Sequence, residues 1–124
     1  MTITATALSL NVTDEVASAR WAIRHLGFTE AMSADGFIAL THPESELNLI
    51  FLRTGLASFR PRSAAGHADG LHVAFVVDDI DAEYARLRGE EVEIATAIET
   101  EPWGERYFQM RDPNGVIFQL VQWV

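Results

Sequence analysis

One order of elements can be read twice along this chain, and that repetition limits the fold more than any single motif does. Leu8, Leu10 and Val12 alternate with Ser9, Asn11 and Thr13, the pattern of a strand with one buried face. Residues 73–79, Val-Ala-Phe-Val-Val-Asp-Asp, repeat the idea as a more buried strand. A helical spacing follows each. Val16, Ala19, Ile23 and Leu26 share a face over residues 14–26, and Ile80, Tyr84 and Leu87 share one over 79–88. Thr13 or Asp14 can cap the first helix and Asp78 or Asp79 the second, by accepting hydrogen bonds from the free N–H groups of the first turn. Gly27 and Gly89 stand where the two helices should stop.

Three short strands are then predicted in each half: 28–32, 36–41 and 46–53, and again 92–97, 105–111 and 116–123. Turn chemistry separates them at Ser33-Ala34-Asp35, at His42-Pro43-Glu44-Ser45 and at Asp112-Pro113-Asn114-Gly115. In the last of these Pro113 pre-sets φ for a turn, while Asn114 and Gly115 tolerate the left-handed conformations a reversal needs. The order is strand, helix, three strands, twice: an α+β chain. Residues 55–69 form a connector long enough to suggest a functional loop.

At 124 residues the chain is expected to be a single domain, 1–124, with module one at about 1–55, the connector at about 55–69 and module two at about 70–124. No apolar run approaches the ~20 residues of a membrane span, and the start, Met1-Thr2-Ile3-Thr4, lacks the basic and apolar stretches of a secretory signal. There is no cysteine, so disulfides, thiolate nucleophiles and thiolate metal sites are excluded and a cytoplasmic location is the expectation. The formal charge of −9 argues against a nucleic-acid partner. Arg53, Arg60, Arg62, Arg106 and Arg111 are either a solvated surface or a local positive rim around a pocket.

The repeat, together with Leu10-Asn11-Val12-Thr13-Asp14, Leu71-His72-Val73-Ala74, and Trp103-Gly104 followed by Asp112-Pro113-Asn114-Gly115, resembles the vicinal oxygen chelate superfamily. This is the family of glyoxalase I, extradiol dioxygenases and the bleomycin-resistance proteins, and the resemblance covers nearly the whole chain. It implies two βαβββ modules whose curved sheets enclose a cleft, and a homodimer. Metal enzymes of the family draw ligands from four strands. Carried over by position, these fall on Ala7, on Leu49 or Ile50, on His72 and on Gln119. Only His72 is a competent donor. Gln119 is neutral where a glutamate is expected, so the resemblance here implies no metal and no cofactor.

Strand alternation sorts the faces. Leu8, Leu10 and Val12 should lie under the first helix, leaving Ala7, Ser9 and Asn11 toward the cleft; Leu71, Val73 and Phe75 should lie under the second, leaving His72, Ala74 and Val76. In the last strand Ile117, Gln119 and Val121 face the cleft. No serine-nucleophile motif, phosphate loop or spaced acidic pair is present, so no catalytic residue is assigned. Trp103, between Pro102 and Gly104, offers a large flat ring suited to stacking on a planar ligand. The expected pocket combines Trp103, Tyr107, Phe37, Phe51 and Phe59 with polar groups from His72, Gln119, Ser9 and Asn11, and with Arg60 or Arg62 from the connector. The resulting expectation is a metal-free binding protein for an aromatic or polycyclic small molecule, of the bleomycin-resistance type, acting by sequestration. The alternative is an enzyme of the same superfamily with a degenerate or absent metal site.

Overall fold

The computed structural model describes residues 1–124, which divide into two compact units, Met1–Ala68 and Asp69–Val124. The first unit contains β1 (Thr6–Val12), α1 (Glu15–Leu26), β2 (Thr29–Ala34), β3 (Phe37–His42) and β4 (Ser45–Arg53). The second contains β5 (His72–Val76), α2 (Ile80–Gly89), β6 (Ile94–Thr100), β7 (Glu105–Arg111) and β8 (Ile117–Trp123). Each unit is thus one βαβββ module. The sheet orders are β1-β4-β3-β2 and β5-β8-β7-β6, with β1 parallel to β4, β5 parallel to β8, and every other pair antiparallel. No helix is long and apolar enough to cross a membrane.

The two helices begin for the same reason. The carboxylates of Asp14 and Asp79 accept hydrogen bonds from the N–H groups of Ala17 and Ala82, each at 3.1 Å, which supplies a partner to an otherwise free first-turn donor. They end differently. Gly27 takes the left-handed conformation at φ 77° and its N–H returns to the Ala22 carbonyl, ending α1. In α2 Gly89 is still helical, and the left-handed residue is Glu91 at φ 62°. Gly89 is nonetheless the last residue of α2, where the sequence places the end of the helix.

Each helix covers one face of its sheet. Under α1 lie Leu10, Val12, Ile38, Leu40, Leu49 and Phe51; under α2 lie Val73, Phe108, Met110, Phe118 and Leu120, with the Phe108 ring 4.9 Å edge-on from Tyr84. Phe51 requires a correction. It pairs with Leu10 across β1–β4 and with Ile38 across β3–β4, and it is fully buried. Its ring therefore belongs to the core beneath α1 and not to the open face. Leu47 through Leu52 is mostly apolar, so the sequence pattern carried no parity; the register with β1 decides it.

The last turn is built around Asp112, which is 3% exposed. Its carboxylate accepts from the N–H groups of Asn114 and Val116, each at 2.9 Å, and its carbonyl accepts from Gly115 at 2.9 Å. Two charge-assisted bonds to backbone donors fix the β7–β8 register, and they occupy the carboxylate structurally.

The connector packs with the first unit. The Asn11 side-chain amide donates to the Ala64 and Gly66 carbonyls at 2.9 and 3.0 Å, and the Ala68 N–H donates to the Asn11 carbonyl at 2.7 Å. One short 3-10 turn, Arg62–Ala64, gives this stretch some regular structure.

Candidate ligand-binding face

The faces turned away from the helices differ between the two units. In the first, the cross-strand rows are Ala7–Asn48, Ser9–Ile50–Ala39 and Asn11–Leu52–Phe37. Ser9 is exposed and Phe37 half-buried beside Leu52, as the alternation predicts. Asn11 lies on this face but both of its amide hydrogens are engaged by the connector, so its expected role as a donor to ligand is corrected to that of a clamp. Phe59 is buried at 9% exposure and offers no open ring. The Arg60 guanidinium donates to the Ala57 and Phe59 carbonyls, and Arg62 donates to Ala57 as well.

The second unit carries a denser arrangement. Because Phe108 faces α2, its neighbours Tyr107 and Gln109 point the other way. The β7–β8 register sets Gln109 opposite Gln119, and β5–β8 pairing sets Gln119 opposite Ala74, beside His72. A hydrogen-bonded row then crosses the sheet. Thr96 Oγ1 lies 2.6 Å from Gln109 Oε1, Gln109 Nε2 donates to Gln119 Oε1 at 2.8 Å, and Gln109 Nε2 lies 3.5 Å from Nδ1 of the exposed His72.

One step along the strands, Tyr107 lies opposite Val121, which pairs with Val76. The Tyr107 hydroxyl lies 2.7 Å from a Glu99 carboxylate oxygen and 2.8 Å from one of Glu101. The bond to Glu99 and then the bond to Glu101 raise the phenol above the ordinary tyrosine range. The Tyr107 hydroxyl is thus held in its protonated form between two carboxylates.

Trp103 sits in the β6–β7 turn, 66% exposed. That turn is closed by Gly104, whose N–H reaches the Glu101 carbonyl at 3.0 Å and whose carbonyl accepts from Val124 at 2.8 Å. A Cβ at Gly104 would stand 2.7 Å from the Val124 carbonyl oxygen, and φ there is +90°, so only glycine is accommodated without a shift. The exposed Trp123 ends β8 opposite Glu105.

Three of the five arginines are held by carboxylates, while Arg60 and Arg62 bond only to connector carbonyls. Arg53 is held by Asp35 at 2.9 Å and Glu15 at 3.3 Å, Arg106 by Asp81 at 2.7 Å, and Arg111 by Glu93 at 3.5 Å. A groove of about 340 Å³ in the first unit, between α1 and β2–β3, is lined in part by this Arg53 cluster, whose charges already satisfy one another.

The donor set does not fit a family-type metal. No group of three or more histidine, cysteine, aspartate or glutamate side chains is placed to hold an ion. In the second unit His72 is joined only by Gln119, a neutral amide whose oxygen already accepts from Gln109. In the first, Ala7 and Ile50 occupy the corresponding open-face positions and carry no donor atoms. Gln109 and Thr96 escaped the sequence reading. Counting outward from residues 112 and 115 pairs Gln109 with Phe118; only closure of the turn between Asp112 and Val116 sets Gln109 opposite Gln119.

Residues 4–120 match the sequence model of the Glyoxalase/Bleomycin resistance protein/Dioxygenase superfamily. Solved structures share the fold at low identity. TioX from Micromonospora sp. ML1 is 22% identical, with TM-score 0.78, 98% of this chain and 100% of that one covered. TnmS3 from Streptomyces sp. CB03234, described as an antibiotic binding protein, is 22% identical, with TM-score 0.74 and coverage of 100% and 99%. Lactoylglutathione lyase from Agrobacterium tumefaciens is 18% identical, with TM-score 0.76 and coverage of 94% and 91%. No curated protein matches the sequence.

Proposed function

Since the chain belongs to the Glyoxalase/Bleomycin resistance protein/Dioxygenase superfamily, we propose that it is a metal-free binder of an aromatic or polycyclic small molecule. In this reading it sequesters an antibiotic or related natural product, acting as a cytoplasmic homodimer. The observation that carries it is the open face of the second sheet. There the half-buried Tyr107 shares a sheet face with a row of neutral amides, where a metal enzyme would hold ionisable donors, and Trp103 stands exposed in the turn that leads into the same strand. Stacking surface plus a few directed polar groups is the composition of a recognition site. The shared fold with TnmS3, an antibiotic binding protein, supports the same reading.

Native mass spectrometry of the purified protein, followed by chemical identification of anything released, tests it. A dimer releasing an unmodified aromatic compound is the expected result. Trp103→Ala should then lower affinity for that compound about tenfold while circular dichroism stays unchanged. Release of a chemically altered ligand would overturn sequestration.

One observation favours a second reading, an enzyme: His72 is exposed and only loosely engaged, and the lyase above shares the fold. That reading requires His72→Ala to abolish turnover of a ligand that still binds.

A further inference from the structure

The connector between Arg53 and Asp69 contains no acidic residue, in a chain with 18 acidic residues against 9 arginines and lysines. Within it Arg60 and Arg62 turn toward each other. Arg60 Nη1 donates to the Ala57 carbonyl at 3.2 Å, and Arg62 Nη2 donates to the same oxygen at 3.3 Å. Arg60 Nη1 also donates to the Phe59 carbonyl at 2.8 Å. No carboxylate pairs with either group, whereas Arg53, Arg86, Arg106 and Arg111 each hold one.

Two cations on a solvated surface repel and drift apart. Here one carbonyl keeps them neighbours, its two lone pairs taking an N–H from each. The backbone beneath them is also fixed. Pro61, between them, sets φ at −74°. On one side Phe59 is buried and its N–H returns to the Leu56 carbonyl; on the other Ala64 bonds back to Pro61 and is gripped by Asn11. Each guanidinium has five N–H bonds, of which Arg60 spends two and Arg62 one on these carbonyls, so most donors of both are left for a ligand. A single guanidinium fork satisfies a carboxylate. Two side by side offer a double charge and more donors than two oxygens use, which matches the charge and three terminal oxygens of a phosphate monoester. We propose that Arg60 and Arg62 form an oxyanion site for a phosphate group, carried by a small organic phosphate or present as the free ion. The site lies within the first unit and does not depend on the reading of the second unit's open face.

Titration of the isotope-labelled native protein with inorganic phosphate, phenyl phosphate and benzoate, at constant ionic strength and followed by amide NMR, tests it. The expected result is saturable shifts centred on residues 57–64, with phosphate binding at least about tenfold tighter than benzoate, the scale of one charge-assisted hydrogen bond. Arg62→Gln, which leaves the Arg60 bonds in place, should weaken phosphate binding about tenfold, with Arg62→Lys falling between. Unchanged shifts in the second unit will show that the variants are folded. Tighter binding of phenyl phosphate than of inorganic phosphate assigns the site to an organic phosphate; equal or weaker binding assigns it to the free ion. Shifts that never saturate, that benzoate matches, or that survive both Arg60→Gln and Arg62→Gln would overturn the proposal.

Discussion

The two units share topology, parallel first pairing and aspartate-capped helices, yet their open faces have diverged in kind. The first presents mostly small and apolar groups, Ala7, Ser9, Ala39, Ile50, Leu52 and Phe37, and commits one of its two amides, Asn11, to holding the connector. The second presents a hydrogen-bonded row of Thr96, Gln109, Gln119 and His72 beside Tyr107, with Trp103 exposed in the β6–β7 turn. The helix N-caps, Asp14 and Asp79, are alike in both, while the helix ends, the turns and the open faces differ. Hydrogen-bonding side chains are concentrated on the open face of the second unit.

The comparison breaks first at Phe51 and Phe37, rings on adjacent strands with opposite parity. Phe51→Ala should destabilise by about 3–5 kcal/mol in chemical denaturation, since a fully buried ring leaves a cavity, whereas Phe37→Ala should cost about 1 kcal/mol or less. Equal losses would mean that the faces of the first sheet are wrongly assigned.

A smaller effect is expected at the turn of the second unit. Asp112→Ala leaves the Asn114 and Val116 N–H groups without their acceptor and should cost about 2–4 kcal/mol, read as a lowered denaturant midpoint. In the first unit the corresponding turn relies on the His42 ring, whose Nδ1 accepts from the Glu44 N–H at 3.0 Å. A single neutral bond there predicts that His42→Ala is milder than Asp112→Ala.

The smallest expected effect concerns pH. The phenol of Tyr107 is raised in the folded state by its bonds to Glu99 and Glu101, so the folded protein holds that proton more tightly than the unfolded chain does. Its contribution is complete below the unfolded tyrosine value, near 10, and is lost as pH rises beyond it. Thermal unfolding scanned above about pH 10 should show a decline that Tyr107→Phe flattens. An identical alkaline slope in both proteins would remove Tyr107 from the hydrogen-bonded arrangement.

Much of the fold was legible because short-range chemistry encodes it. Asp14, Asp79 and Gly27 act at the helix ends where their side chains, or the lack of one, predict, and residues 112–115 turn as expected. The faces of β1 were readable because small or polar residues alternate with apolar ones there, and single polar residues, His72 and Gln119, mark the open faces of β5 and β8. β4 was not, since its central residues run Leu-Asn-Leu-Ile-Phe-Leu and only pairing with β1 sets which side each takes. The site was half legible for the same reason. His72, Gln119, Tyr107 and Trp103 fall in one unit, on its open face or the turn beside it, but what occupies Asn11, Arg53 and Arg106 depends on partners distant in sequence. Gln109 became visible only when paired with Gln119.

The Asn11 clamp carries a consequence for how freely this protein can vary. Its amide grips the backbone oxygens of Ala64 and Gly66, and the backbone of Asn11 in turn receives the N–H of Ala68. Every non-proline residue offers the same carbonyl and the same N–H, so the grip reads the path of the connector and ignores its side chains. Ala64, Gly66 and Ala68 can therefore be varied while one asparagine holds their course along the first unit, whereas the buried Phe59 ties the same connector through its side chain.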